Sequence, residues 1–121
     1  MSGSSAWIFP GQGSQSVGMG AATLAGSPAA RAVMAEAEAA LNEPLGRLIA
    51  EGPAEVLERT EQAQPAILAM SIALLAAARE RAAATGETLP LPRYIAGHSA
   101  GQYAAAVAAD ALRDRKSTRL N

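Results

Sequence analysis

The sequence predicts an α/β protein in which a parallel sheet carries flanking helices. Three observations lead there: a β-favouring run, Ala6-Trp-Ile-Phe9, opens the chain; helical patterns then dominate for some seventy residues; a second short run, Tyr94-Ile-Ala96, comes only after them. Strand, loop, helices, strand, turn and helix in that order suit a layered fold with strands side by side and parallel.

Ala6–Phe9 is apolar and stopped by Pro10 and the glycines beyond it, which reads as a buried strand emptying into the loop Gly11–Gly20. Ser27 before Pro28 has the chemistry of an N-cap with proline at the first helical position. Ala29–Leu41 follows with Val33, Ala37 and Leu41 on one face and Glu36 and Glu38 on another. Shorter helices are expected over Leu45–Ile49 and Pro53–Arg59. The strongest helical pattern runs from Pro65 to Ala84, where Ile67, Leu68, Ser71, Leu74, Leu75 and Ala78 recur at helical spacing and Gly86 stands where a terminating glycine belongs. Its nearly uniform apolarity predicts burial on several sides. After the proline-rich stretch Leu89–Arg93 comes the second strand, Tyr94–Ala96, and then a helix from Gln102 to about Leu112.

At 121 residues, 50% hydrophobic and 17% charged, the chain suffices for one small domain. Its four aromatics (Trp7, Phe9, Tyr94 and Tyr103) leave a core poor in large side chains, and stability is expected to be marginal. A net charge of -1 lacks the clustered positive field that nucleic acid or an anionic membrane requires. The absence of cysteine excludes a disulfide framework, a thiolate metal site and a cysteine nucleophile, and no metal site is expected. The longest near-apolar run, Pro65–Ala78, is shorter than the roughly 20 residues that span a bilayer, and the N-terminus lacks a basic region followed by an apolar one. A cytoplasmic location is expected.

Gly97-His98-Ser99-Ala100-Gly101 fits the G-x-S-x-G pattern, in which a serine sits on a sharp strand-to-helix turn and the glycines permit close backbone approach. Ser99 is the nucleophile candidate, with the amides of the following helix start facing the anion that would form. A serine needs a base, and the one histidine in the chain is its neighbour His98. Adjacent side chains on such a turn point apart, so His98 is expected to pack or bond locally rather than take the proton. Asp110 and Asp114 cannot complete a triad without a placed imidazole.

Four blocks, Ile8-Phe-Pro-Gly-Gln-Gly-Ser-Gln15, Gly52-Pro-Ala-Glu55, Gln64-Pro-Ala66 and Gly97-His-Ser-Ala-Gly101, stand in the order and approximate spacing of the malonyl-CoA:acyl-carrier-protein transacylases, which the chain resembles from residue 6 to about 112. The resemblance implies an α/β-hydrolase-like large subdomain and a smaller ferredoxin-like one. It also implies ping-pong transfer of malonyl from coenzyme A to Ser99 and on to the phosphopantetheine thiol of acyl carrier protein, without a permanently bound cofactor. By similarity the backbone N–H groups of Gln12 and Ala100 form the oxyanion hole. Gln64 is a possible pocket residue and equally a natural helix-start residue, and Gln102 replaces the glutamate usual in the family.

The family's catalytic histidine and carboxylate-pairing arginine come later than any residue here, and Arg113, Arg115 and Arg119 stand at neither place. Residues 1–114 are accordingly expected to form part of the large subdomain, with the ferredoxin-like subdomain absent and turnover lost. Residues 115–121, which include the only lysine, Lys116, read as a non-native or truncated tail. Truncation would expose apolar helix faces and a sheet edge. Two other readings share the serine turn: a serine esterase of the α/β-hydrolase type, with water as acceptor, and a non-catalytic remnant that binds carrier protein or coenzyme A.

Overall fold

The computed structural model describes residues 5–87, 89–90, 92–99 and 101–109. Strand β1 (Ala6–Phe9) is followed by helices α1 (Ala21–Gly26), α2 (Pro28–Leu41), α3 (Leu45–Glu51), α4 (Ala54–Leu57) and α5 (Thr60–Ala84), then strand β2 (Tyr94–Gly97). A last helix, α6, covers 101–109. The two strands pair in parallel, with Ala6 opposite Tyr94, Trp7 opposite Ile95, Ile8 opposite Ala96 and Phe9 opposite Gly97. The chain is thus a helix-rich α/β fold around a small parallel sheet, as the order of elements predicts. The expected end of the last helix at Leu112, Asp110 and Asp114, and the tail at 115–121 lie outside the described residues.

Helix α5 is the centre of the molecule. Ala66, Ala69 and Met70 join Met34, Leu45, Ile49 and Leu57 in one core, while Leu68, Ile72 and Leu75 pack against a second core of Phe9, Ala104, Ala105 and Ala108. A helix with a core on each side has no use for a polar stripe along most of its length, which accounts for its uniform apolarity. Alanines let α6 come close to Phe9, and the first core gets its bulk from Leu45, Ile49 and Leu57, each burial being worth about 2 kcal/mol.

Ser27 caps α2 as its sequence context predicts: its Oγ accepts the Ala30 N–H at 3.0 Å, with Pro28 in the first turn. The same hydroxyl donates to Glu80 Oε1 at 2.7 Å, and Glu80 Oε2 accepts the Ala29 N–H at 3.0 Å. A carboxylate on α5 thereby completes the cap of α2 and fixes the two helices in register.

Four expectations need correction. Helix α5 begins at Thr60, not Pro65. Proline removes the donor that would have met the Glu61 carbonyl and crowds that carbonyl with its ring, but its φ is already helical and the disturbance falls near the start of the helix, at exposed Glu61. Helix α1 has no sequence signature because its closure comes from elsewhere: the Arg31 guanidinium donates to the carbonyls of Leu24 and Ala25 at 2.6 and 3.0 Å. The helix expected over Pro53–Arg59 shrinks to Ala54–Leu57. Finally, β1 is buried on one face only. Trp7 and Phe9 point to the second core, whereas Ile8 is 75% exposed and lies beside exposed Ala6, Tyr94 and Ala96, since both strands turn the same face to the helices. Among the described residues no helix is long and apolar enough to cross a membrane.

Candidate active site

The turn after β2 is built from backbone contacts. The His98 N–H donates to the Phe9 carbonyl at 3.0 Å, tying the turn to the end of β1. The His98 carbonyl accepts the Gly101 N–H at 2.9 Å, and the Ser99 carbonyl accepts the Gln102 N–H at 3.0 Å. These bonds close the first turn of α6 directly onto Ser99. They also force Ser99 into the left-handed region, at φ 54°, a conformation uncommon for any residue but glycine. The side chain that the fold holds in this strained state is exposed at the carboxyl end of the sheet, where α/β proteins place ligands.

The flanking glycines make the turn possible by their size. A Cβ on Gly97 would fall against the Gly101 carbonyl and the Gln102 amide. One on Gly101 would meet the Phe9 carbonyl and, at 2.6 Å, the Pro10 oxygen. Gly11, the first residue of the loop after β1, is pressed against the His98 carbonyl, and its own Cβ would stand 3.0 Å from that of Ser99. The two glycine-rich segments that the sequence singles out therefore meet, although one follows β1 and the other β2.

Gln12 is next to that contact and is exposed. Its side-chain Nε2 donates to Thr60 Oγ1 at 3.0 Å, which links the loop to the first residue of α5. Further along, the Ser14 N–H turns back to the Gly11 carbonyl at 3.2 Å, the Gly13 N–H donates to Gln15 Oε1 at 2.7 Å, and the Gly18 N–H donates to the Ile49 carbonyl at 2.7 Å. Ala100 lies outside the described residues. Gln64 is half-buried in α5 and Gln102 is exposed on the first turn of α6. Among the described residues no group of three or more histidine, cysteine or acidic side chains is placed to hold a metal ion. Nothing local in the sequence marks Thr60, whose partner is 48 positions away.

A strained, exposed serine at the mouth of a parallel sheet is shared by several acyl-transferring and hydrolytic folds. The family model for the acyl transferase domain matches residues 6–120. The chain belongs to the acyl transferase domain family. Its relatives within that family include the malonyl CoA-acyl carrier protein transacylase of Salmonella typhimurium, 43% identical over 115 residues, which cover 95% of this chain and 35% of that protein. The enzyme of the same name from Bacillus subtilis is 48% identical over 107 residues, covering 88% and 32%. Among solved structures, the acyl-carrier-protein S-malonyltransferase of Burkholderia pseudomallei superposes with a TM-score of 0.77 at 41% identity, over 89% of this chain and 33% of that one. The chain spans about a third of the length of the curated relatives it matches. Within this acyl transferase domain, both glycine-rich segments fall inside the matched region.

Proposed function

We propose that Ser99 is the acylated nucleophile in transfer of a malonyl group from coenzyme A to the phosphopantetheine thiol of acyl carrier protein, a cycle that the 121-residue polypeptide does not complete on its own. The observation that carries this reading is the left-handed Ser99, exposed on a turn whose glycines admit no side chain, in a chain 43% and 48% identical to malonyl transacylases. Ser99 Oγ attacks the thioester carbonyl as its proton passes to solvent water, which keeps the step slow. The carbonyl oxygen takes the negative charge, and the carbonyl re-forms as the C–S bond breaks and coenzyme A leaves as thiolate. In the second half the carrier thiol loses its proton to solvent and attacks the serine ester, and the Ser99 alkoxide takes a proton from solvent as the C–O bond breaks. The N–H groups of Gln12 and Ala100 are the proposed oxyanion donors; support for Gln12 comes from the packing of Gly11 against the serine turn.

His98 is not assigned the base. It is exposed, and a side chain adjacent on the turn is poorly aimed at the Ser99 hydroxyl. The 121-residue polypeptide has no other histidine, so it is expected to acylate slowly and not to turn over. Incubation with malonyl-CoA, with and without holo acyl carrier protein, followed by intact-mass measurement tests both statements. The expected result is a single malonyl adduct that is absent in Ser99→Ala. An adduct retained by that variant would remove Ser99 from the mechanism, and steady malonylation of the carrier would overturn the lack of turnover.

A further inference from the structure

We propose that Thr60 is a positioning residue for this reaction: its hydroxyl holds the Gln12 side chain, and through it the Gln12 backbone N–H, against the serine turn. The inference rests on the reading of Ser99 and Gln12 given above and adds to it a residue on a different element. Gln12 follows Gly11 directly, and Gly11 is buried against the His98 carbonyl, so one side of Gln12 is fixed by packing. Its other side is glycine, Gly13, with φ 106°, restrained only within the loop, by the Gly13 N–H to Gln15 Oε1 bond at 2.7 Å and the Ser14 N–H to Gly11 carbonyl bond at 3.2 Å. The bond from Gln12 Nε2 to Thr60 Oγ1, at 3.0 Å, supplies an anchor on a separate element, outside the loop. Through it the orientation of the Gln12 peptide is tied to the longest helix of the molecule, which is itself held between two cores.

Thr60 has no helical reason to be a threonine. It is the first residue of α5 rather than its cap. The capping position is Arg59, no side chain caps the helix there, and a β-branched residue is a poor helix former. Its hydroxyl is spent on Gln12. An oxyanion donor is effective only when it is fixed before charge develops, so loosening the loop should lower the rate of acylation more than the binding of the thioester.

The test uses Thr60→Val, which keeps the shape and removes the acceptor, Thr60→Ser, which restores it, and Gln12→Ala, which keeps the backbone N–H and removes the partner. The maximal rate of Ser99 acylation by malonyl-CoA, followed by intact mass, should fall about threefold to tenfold in Thr60→Val, the range of one ordinary hydrogen bond. The half-saturating concentration should barely change. Thr60→Ser should remain within about twofold of the parent, and Thr60→Val with Gln12→Ala should be no slower than the slower single variant. Equal rates for the valine and serine variants, or multiplying losses in the double variant, would overturn the proposal. If the parent takes no adduct, the reading of Ser99 fails, and hydrogen exchange of the amides at 11–15 decides on Thr60 alone. Faster exchange in the valine variant but not in the serine variant sustains the tether, and unchanged exchange refutes it.

Discussion

Replacing Ser99 by glycine should stabilise the protein relative to replacing it by alanine, while both changes abolish acylation. Ser99 sits at φ 54° and is exposed, so neither substitution opens a cavity, and the comparison isolates backbone strain. A left-handed residue with a Cβ costs roughly 1–2 kcal/mol. Glycine recovers that cost but gives back roughly 0.5–1 kcal/mol to the greater freedom of the unfolded chain. The glycine variant should therefore exceed the alanine variant by about 0.8 kcal/mol, within a range of roughly 0–1.5 kcal/mol, and alanine should lie within about 0.5 kcal/mol of the parent. Urea titration monitored by circular dichroism would show this as a higher midpoint at unchanged slope. An alanine variant more stable than the glycine one would mean that Ser99 is not held in a strained conformation. The case for a pre-set nucleophile would then fall with it.

Ser27→Ala removes the α2 cap and leaves Glu80 without a hydroxyl donor; a loss of about 2 kcal/mol is expected, half from the cap and half from the charge-assisted bond, measurable by the same titration. Gly101→Ala places a methyl against the backbone of Phe9 and Pro10, where no side chain can move aside. It should cost about 3 kcal/mol and displace the turn, so acylation is lost along with stability.

The parts of the fold that local chemistry determines could be read from the sequence. Ser27 before Pro28 announces the start of α2, and the glycines around Ser99 announce the turn, because a cap and a tight approach each need particular atoms at particular positions. What could not be read depends on partners distant in sequence. Arg31 closes α1, Glu80 finishes the cap of Ser27, and Thr60 meets Gln12, none of them with a neighbouring signal. The start of α5 was obscured for the opposite reason: Pro65 looks like a boundary, yet its disturbance falls near the start of the helix, at exposed Glu61. In β1 the apolar run hides an alternation, since Ile8 is as hydrophobic as Phe9 but faces away from the helices. At the site, the sequence pointed to Ser99 and Gln12 but not to the left-handed backbone of the first or the tether of the second.

The sheet joins residue 6 to residue 94, with five helices between its strands. Pairings of such long range form slowly, since the entropy of closing the chain is lost before any contact repays it. The bond that ties the serine turn to the sheet, from the His98 N–H to the Phe9 carbonyl, extends that pairing by one residue. During synthesis or refolding, the helices can therefore assemble around an inert serine. Ser99 takes up its left-handed geometry only where the two ends of this region meet.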